Sequence, residues 1–478
     1  MSVHNADPPS PAGPSRQRPM LDAADVPPEG GVLSLALHPR FVMVLCATAV
    51  PVALQSLVSS TRPLVDAFLV ARMGDNEIAA FGYSGRVMYV ILLAIMGMAD
   101  GGAVVVAQYR GSGDEAKTRE STAVTVAIVA ALASAASIAC FVLADAIAGL
   151  GTENAAIAAL SADYIRISSL MILPFGVISA LAASVRCFGD ARVAMRFALV
   201  GLAAHLALSF VLVPRFGVSG AAWATTASTF LECAAFAAFV YISRHPAAFR
   251  ADDLRRGFAH GLARTIRVVG GPVALSSAAW AGGLLMYTIL VGRSGEQHLA
   301  ALSMINPIES VAIAVINGLA VATAVVIGNT LGAAASEAAT WRLAKALLLW
   351  NAAVAAVAGA LLVCTSLWMG EIYGNADPRT VEAAAQATAV LGLLFVFRAM
   401  SMVLQNGLLR AGGDTMYVLG ADLSCQWLVG IPLTFLTALH WGLPFPVIFA
   451  AIYSEEIAKT VLSGYRVWRG RWARSLVD

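Results

Sequence analysis

Charged residues are scarce in this sequence and make up only 13% of its 478 positions. Soluble globular proteins carry a charge at about a quarter of their positions and are less than half apolar, whereas 59% of this chain is hydrophobic. The formal net charge of +2 supplies no basic surface for nucleic acid. The composition therefore predicts a polytopic membrane protein that has the lipid bilayer as a partner and does not bind nucleic acid.

Cysteine is also scarce, and it is not clustered. The six cysteines stand singly in apolar segments with no C-x-x-C spacing, which argues against a disulfide framework or a cysteine-ligated metal. The sequence contains neither an HExxH nor a GxSxG motif. We therefore predict no metal site, no cofactor and no enzymatic activity.

The apolar residues fall into twelve blocks separated by short polar turns. Each block is long enough to cross a hydrocarbon layer about 30 Å thick as a helix. Lipid cannot satisfy exposed backbone groups, so each block is predicted to be helical. The blocks cover 41–71, 78–109, 120–148, 159–187, 191–213, 218–243, 266–292, 299–331, 342–368, 384–410, 416–439 and 445–467.

Lysine and arginine are concentrated in alternate loops and at both ends of the chain. The loops on one side hold Arg110, Lys117, Arg119, Arg186, Arg192, Arg196, Arg250, Arg255, Arg256, Arg264, Arg267, Arg342, Lys345 and Arg410. The loops on the other side hold only Arg72, Arg215, Arg293 and Arg379. The positive-inside rule therefore predicts that both termini lie in the cytoplasm, which agrees with an even number of spans.

The two halves of the chain contain an internal repeat. Residues 65–80 (VDAFLVARMGDNEIAA) align without a gap with 286–301 (MYTILVGRSGEQHLAA), sharing Gly and Arg at the turn. Further matches pair Gln108 with Asn329, Gly111 with Gly332 and, after a three-residue shift, RCFGD (186–190) with RAGGD (410–414) and Glu232 with Glu456. Six spans separate the copies, so the repeats are parallel. This layout places a substrate site between two halves that move against each other.

The repeat predicts two lobes joined by a connector. The predicted organisation is a disordered cytoplasmic tail (1–38), an N-lobe of helices one to six (39–243), a cytoplasmic connector (244–265), a C-lobe of helices seven to twelve (266–470) and a cytoplasmic C-terminal tail (471–478). The connector is interpreted either as an amphipathic helix at the lipid headgroups or as a regulatory element.

Several motifs resemble those of multidrug and toxic compound extrusion (MATE) transporters. VDAFLVARMG, AQYRGSGD, RCFGD and PRFGVSGAAWAT resemble the first half of that family, and NTLGAA, LLRAGGDT and WLVGIPLTFLTALHWGLPFPVIFAAIYSEE resemble the second half. The similarity extends from about residue 41 to residue 470. It implies an all-α integral membrane fold, with twelve transmembrane helices in two pseudo-symmetric six-helix lobes around a central cavity. It also implies efflux of drugs or metabolites driven by protons or sodium ions.

The resemblance also implies a coupling residue. Asp66 matches the first-helix aspartate that the family uses most widely for ion coupling. The sodium-associated branch has a glutamate eight residues beyond a Gly-Pro in helix seven, where this chain has Trp280. The DinF-like proton-coupled branch has an Asn and an Asp in helix five, where this chain has His205 and Ser209. The missing glutamate argues against the sodium-associated branch, so the resemblance places the chain closer to the DinF-like branch. It departs from that branch in helix five, where His205 would replace the branch's acid as a titratable group.

Asp66 is the leading candidate for ion coupling because an ionisable side chain inside a span is costly and indicates function. The other interpretation is a helix-end cap near the turn at 72–74. Arg62 lies one helical turn earlier on the same face and is predicted to meet Asp66. Pro63 allows a bend, so we hypothesise that this pair forms in one state and separates in another. The alternative is that Arg62 neutralises Asp66 permanently.

The remaining ionisable and polar residues are sorted by position. Glu232 and Glu456 are predicted to have a shared structural role, each closing a hydrogen bond within its lobe, and Glu455 is predicted to pair with Lys459. The candidates for lining the substrate cavity are Asp100, Trp280, Tyr287, Asn306, Glu309, Arg398, Gln405 and Asn406. Arg398 is interpreted either as a counter-charge to an acid or as a docking point for an anionic group.

The sequence thus predicts a monomeric antiporter of the cytoplasmic (inner) membrane. It would export a small organic solute by alternating access in exchange for protons, with Asp66, Arg62, His205 and Ser209 as the coupling residues. Sodium coupling is the alternative ion, and a flippase for a lipid-linked precursor is the alternative function. The flippase would need a cationic cavity, for which Arg62, Arg86 and Arg398 are the candidates.

Overall fold

A computed structural model describes residues 31–152, 154–374, 376–470 and 472–476, and its secondary structure there is helical throughout. The helices are α1 (Val32–Ala36), α2 (Pro39–Val70), α3 (Asp75–Gly111), α4 (Glu115–Val142), α5 (Ala144–Gly151), α6 (Ala155–Ser169), α7 (Ile172–Cys187), α8 (Ala191–Ile242), α9 (Ala251–Ala259), α10 (Leu262–Ser294), α11 (Glu296–Gly332), α12 (Glu337–Ile372), α13 (Pro378–Met402), α14 (Thr415–Cys425), α15 (Ile431–Phe435) and α16 (Phe445–Trp468). Three π-helical segments, Val403–Leu409, Gln426–Gly430 and Leu436–His440, extend or join α13, α14 and α15.

The prediction of twelve membrane spans is confirmed. Within the described ranges, nine helical segments are long and apolar enough to cross a membrane, and α6 with α7 forms a tenth span bent by 45°. Helix α8 has 52 residues and would measure about 78 Å if straight, far more than one membrane crossing. It is two spans joined by a sharp turn. Helix α16 completes the count and carries three charged residues near its middle, Glu455, Glu456 and Lys459.

The turn inside α8 depends on two glycines. Gly217 has φ 61° and ψ −138°, a conformation that side chains with a Cβ rarely adopt. A Cβ at Gly220 would lie 2.3 Å from the carbonyl oxygen of Leu212. The two arms, 191–216 and 218–242, therefore reverse direction within a few residues and place His205 and Thr225 on neighbouring antiparallel helices.

Each lobe has its own hydrophobic core, and the first helix of each lobe begins in the core of the other lobe. Phe41 and Leu45, at the start of α2, are buried in the core of the C-lobe. Ile266 and Val269, at the start of α10, are buried in the core of the N-lobe. Helix α2 accordingly packs on both α8 and α11, and α10 packs on both α3 and α14. The first helix of each lobe therefore forms the interface between the lobes.

The prediction of a disordered tail through residue 38 is wrong for its last residues; residues 1–30 lie outside the described part of the chain. Helix α1 covers Val32–Ala36, and Leu35 and Ala36 are buried. The indole Nε1 of Trp350 in α12 donates a hydrogen bond of 2.8 Å to the carbonyl oxygen of Ala36. The short apolar run VLSLA is ordered because it covers an apolar surface of α12.

The connector forms a helix, and this helix packs on protein. Helix α9 lies against α4, where a Cβ at Gly257 would come within 2.6 Å of Val124. Glu120 of α4 is 3.4 Å from Arg256 and 2.8 Å from His260. A buried carboxylate in α4 thus holds the connector against the N-lobe.

Candidate ion-coupling site and interlobe cavity

Asp66 lies in a buried cluster where α2 meets both arms of α8. Its carboxylate is 2% exposed, and the Ser209 hydroxyl donates a 2.8 Å hydrogen bond to Oδ1. The Thr225 hydroxyl lies 3.3 Å from Oδ2 and donates to it. The His205 Nε2 is 3.2 Å from Oδ1. The structure therefore brings Asp66, His205 and Ser209 together, as the sequence predicted, and adds Thr225.

The imidazole of His205 is only partly satisfied. Its Nε2 faces Asp66 and lies 3.3 Å from the Ser209 hydroxyl, while its buried Nδ1 has no hydrogen-bond partner among the described residues. A carboxylate and an imidazole at this distance can both bind protons. The cluster therefore offers two neighbouring proton-binding groups in a side-chain environment closed to solvent.

Arg62 is not paired with Asp66 in this structure, which contradicts permanent neutralisation of Asp66 by Arg62 and leaves the two-state pairing a prediction. The Arg62 Nη2 lies 2.6 Å from the Glu232 Oε2 and also donates to the carbonyl oxygen of Ala198 at 3.4 Å. A Cβ at Gly201 would lie within 2.5 Å of both ion-pair partners, so this glycine makes room for them. Glu232 on the second arm of α8 competes successfully for the guanidinium because the fold brings it closer. Arg62 therefore does not neutralise Asp66 here, and α2 continues as one helix through Pro63.

The C-lobe contains the equivalent glutamate in an equivalent ion pair. Glu456 accepts hydrogen bonds from Arg398 and from the Ser401 hydroxyl, and the Trp280 ring lies 5.4 Å from the guanidinium carbon of Arg398. Arg398 thus acts as a counter-charge to an acid, one of the two interpretations open from the sequence. The two repeat-related glutamates are thus each paired with an arginine, although the arginine comes from the first helix of one lobe and the fourth helix of the other.

Two further acids of the C-lobe, Glu455 and Asp422, form a connected network around Lys459. Lys459 Nζ is 3.2 Å from the Glu455 carboxylate, as predicted from their spacing, and 3.7 Å from the Asp422 carboxylate. The Tyr287 hydroxyl donates a 2.6 Å hydrogen bond to Glu455, and the Ser276 hydroxyl donates to Asp422. Sequence reasoning missed Asp422, which sits in an otherwise apolar helix.

Only some of the predicted cavity residues reach the space between the lobes. Asp100 and Asn406 line a cavity of about 90 Å³, whereas Trp280 and Tyr287 are engaged in the C-lobe contacts above. The carboxylate of Glu309 accepts a hydrogen bond from Tyr453. Asn306 is exposed, and Gln405 is buried with no partner for its amide nitrogen among the described residues.

The interlobe cavity also contains two arginines that the sequence analysis did not select. Arg186 and Asp100 come from the N-lobe, and Arg410 and Asn317 come from the C-lobe. Arg186 and Arg410 are the first residues of the repeated RCFGD and RAGGD motifs. The repeat itself was therefore the signal that could have identified them.

The lobes touch closely at one end of the molecule, where α3 ends at Gly111 and α11 ends at Gly332. The loops on this side carry most of the arginines found between the spans, so we call it the arginine-rich end. A Cβ at Gly111 would lie 2.0 Å from the carbonyl oxygen of Asn329, and one at Gly332 would lie 1.8 Å from that of Gln108. Gln108 and Asn329 are equivalent in the repeat, so this crossing is symmetric. Backbone packs directly on backbone, and the central cleft is closed at this end.

Twelve helices in two lobes, related by parallel repeats and enclosing buried ionisable groups, define the architecture of a secondary transporter. A family model described as MatE matches residues 51–211 and 272–436, which is more than half of the chain. The chain belongs to the MATE family, and it is a multi-pass membrane protein.

Individual proteins and structures agree with this assignment. The probable multidrug resistance protein NorM of Deinococcus radiodurans is 26% identical over 416 residues, which cover 81% of this chain and 86% of that protein. The probable NorM of Bradyrhizobium diazoefficiens is 26% identical over 434 residues, with coverages of 87% and 90%. A solved structure titled as an outward-facing conformation of a multidrug resistance MATE family transporter matches with a TM-score of 0.81 at 17% identity, covering 93% of this chain and 99% of that one.

Proposed function

We propose that this protein is a proton-coupled antiporter that exports an organic solute across the inner membrane by alternating access. In this proposal the protein works as a monomer and as a transporter without enzymatic activity, and the arginine-rich end faces the cytoplasm. The names of its NorM relatives, which describe multidrug resistance proteins, support export of drugs or similar solutes.

The observation that carries the proposal is the composition of the Asp66 cluster. Asp66 is buried, and among the described residues its only partner able to carry a positive charge is His205. An ionised carboxylate at membrane depth is costly without a permanent counter-charge, so this carboxylate is suited to carry a proton. Proton uptake from the outer side therefore stabilises one arrangement of α2 and α8. Release of that proton to the cytoplasmic side favours the other arrangement.

The donor set of the cluster favours a proton over a sodium ion. Hard cations prefer a shell of several oxygen ligands, but here an imidazole nitrogen stands 3.2 Å from the single carboxylate. A proton needs only one carboxylate or imidazole and a hydrogen-bond acceptor. This argument also supports placing the chain with the DinF-like proton-coupled branch.

The arginine–glutamate pairs favour the antiporter over a lipid flippase. Two of the three arginines considered for a cationic cavity, Arg62 and Arg398, are held by Glu232 and Glu456. Their charges are neutralised within each lobe, so these two arginines do not supply the cationic cavity considered for a flippase.

The test is transport by purified protein in proteoliposomes under an imposed pH gradient, with the membrane potential clamped at zero. Ethidium serves as a cationic probe solute and carboxyfluorescein as an anionic one. We expect wild-type protein to accumulate at least one probe against its gradient. We expect Asp66→Asn to lose most of this activity, because an asparagine amide cannot take up and release a proton as a carboxylate does.

Asp145→Asn is the matched control, because it removes an exposed carboxylate that pairs with Arg166 at the surface. This variant should transport like wild type. Full activity of a correctly inserted Asp66→Asn protein would refute the proposal. Transport driven by a sodium gradient and not by the pH gradient would show that sodium is the coupling ion. Scrambling of a labelled lipid without any gradient would support the flippase.

A further inference from the structure

The interlobe cavity is lined by one arginine from each copy of the repeat. Arg186 ends α7 in the N-lobe, and Arg410 follows the π-helical segment Val403–Leu409 in the C-lobe. Both side chains border the same space of about 90 Å³, together with Asp100. The pseudo-two-fold relation of the lobes thus brings one arginine from each copy of the repeat to the lining of one cavity.

Neither guanidinium group is fully used by the protein. Arg186 is 3.5 Å from the Asp100 carboxylate, a single long ion-pair contact. Arg410 donates to the Ser276 hydroxyl at 3.4 Å, and its buried Nε has no hydrogen-bond partner among the described residues. A guanidinium carries five N–H donors and strongly prefers a bidentate acceptor such as a carboxylate or a phosphate.

The charge of the cavity lining is also unbalanced. Its described walls contain two arginines against one carboxylate, and the other polar residues, Asn317 and Asn406, are neutral. The carboxylate of Asp422 accepts from Ser276 and is 3.7 Å from Lys459, so it belongs to the C-lobe network. An anion entering the cavity therefore meets a net positive lining with free donors.

We propose that Arg186 and Arg410 form a subsite for the carboxylate group of an organic anion, clamped between the two lobes. A cavity of about 90 Å³ bordered by two guanidinium groups has room for a carboxylate group. The remainder of the solute extends along the cleft between the lobes. The subsite names a substrate class for the export function proposed above and rests on that function for its physiological meaning.

Asp100 makes a specific contribution to this subsite. Its carboxylate is the one acidic group bordering the cavity in the described residues, and it occupies Arg186. An incoming carboxylate competes with Asp100 for that guanidinium. Removing the charge at Asp100 must therefore strengthen binding of an anion and weaken binding of a cation, which separates the two classes of ligand.

The experiment measures equilibrium binding of benzoate to the purified full-length protein in phosphatidylcholine nanodiscs by calorimetry, with no ion gradient. Benzamide, which has the same ring without a charge, is the ligand control. We expect benzoate to bind more tightly than benzamide. We expect Arg186→Gln and Arg410→Gln each to weaken benzoate binding by about tenfold, because each removes a charge-assisted contact. Asp100→Asn should strengthen benzoate binding.

Arg192→Gln is the matched protein control, since it removes an exposed arginine near the same end of the molecule. Its affinity for benzoate should equal that of wild type. Arg410→Lys preserves the charge but not the bidentate geometry, and it should bind with intermediate affinity; this variant tests the subsite if the glutamine variants do not fold.

Three results would overturn the subsite: equal binding of benzoate and benzamide, unchanged affinity in Arg186→Gln and Arg410→Gln proteins that elute as folded monodisperse species, or weaker benzoate binding by Asp100→Asn. Competition by phosphatidate added to the nanodiscs would assign the two arginines to a lipid phosphate and overturn the soluble carboxylate. The binding measurement needs no proton gradient. If Asp66→Asn keeps full transport activity, the proton-coupling proposal fails, but the binding result for the arginine subsite still stands. The two proposals can therefore fail separately.

Discussion

Individual buried charges in this protein are matched by particular partners. Glu232 is 6% exposed and is paired with Arg62 at 2.6 Å, while Glu456 is paired with Arg398. Removing one member of a buried pair leaves an uncompensated charge, which commonly costs about 3–5 kcal/mol. These pairs therefore carry a large stability requirement, independent of transport.

We expect Glu232→Gln to lower the free energy of unfolding by about 3 kcal/mol, because Arg62 then loses its counter-charge. Thermal unfolding in detergent, followed by intrinsic fluorescence, measures this effect. The double variant Arg62→Gln/Glu232→Gln should be more stable than the single variant, since no buried charge remains. Glu382→Gln, at an exposed position on α13, is the control and should unfold like wild type. Equal stabilities of all four proteins would contradict the structural role of the pair.

In the proposed mechanism, His205 is a second group beside Asp66 that could carry a coupled proton. At a pH difference of one unit and zero membrane potential, each coupled proton contributes about 1.36 kcal/mol, or a tenfold gradient. If Asp66 and His205 each carry a proton, His205→Gln should lower the steady-state accumulation ratio about tenfold and leave transport active. The measurement is accumulation at a set pH difference with the potential clamped. An unchanged ratio would restrict coupling to Asp66 alone.

At the scale of helices, glycines determine where elements meet and where they turn. Gly217 and Gly220 reverse α8, and Gly111 and Gly332 allow α3 and α11 to cross with backbone contact. Without the α8 turn, His205 and Thr225 would not face Asp66 together. The coupling cluster thus depends on a turn outside the cluster.

We expect Gly332→Leu to open the arginine-rich end. A Cβ at this position would lie 1.8 Å from the Gln108 carbonyl oxygen, which is backbone and cannot move aside alone. Spin labels at Ser112 and Ala335, just beyond the ends of α3 and α11, should lie farther apart than in wild type when measured by pulsed electron–electron double resonance. Gly420→Leu is the control, since a Cβ there has open space around it. An unchanged label distance in Gly332→Leu would show that the crossing does not close this end.

At the scale of the whole molecule, the lobes are tied together by a few polar contacts as well as by packing. The Gln108 Nε2 in the N-lobe donates to the carbonyl oxygens of Ala411 in the C-lobe and Arg474 near the C-terminus, at 2.9 Å and 3.2 Å. The Leu476 amide donates to the Gln108 Oε1 at 2.6 Å. One amide side chain therefore links both lobes with the C-terminal segment.

Gln108→Met preserves the size of this side chain but removes all three hydrogen bonds. We expect the same spin-label pair to show a larger population of long distances, because the closed arrangement loses contacts that the open one does not make. Gln386→Met, at a side chain that reaches only Glu382 on its own helix, should leave the distribution unchanged. A distribution for Gln108→Met identical to that of wild type would mean that packing alone holds the lobes closed.

Hydropathy and the internal repeat were sufficient to predict the twelve spans and the two lobes, and the resemblance of several motifs indicated the family. These properties follow from the residue order alone, because the cost of exposing polar backbone to lipid acts on each segment separately. The resemblance to the family indicated Asp66, His205 and Ser209 by position, and Asp66 also stood out as an ionisable group in an apolar span.

The pairing of side chains across helices required the tertiary structure. Local spacing indicated Arg62 for Asp66, but the turn at Gly217 brings Glu232 to Arg62 and leaves Asp66 to Ser209, Thr225 and His205. Likewise, Arg186 and Arg410 are 224 positions apart in the sequence and share a cavity only because the lobes pack face to face. Electrostatic partners are decided by distance in space, and helix packing sets those distances after the spans have formed.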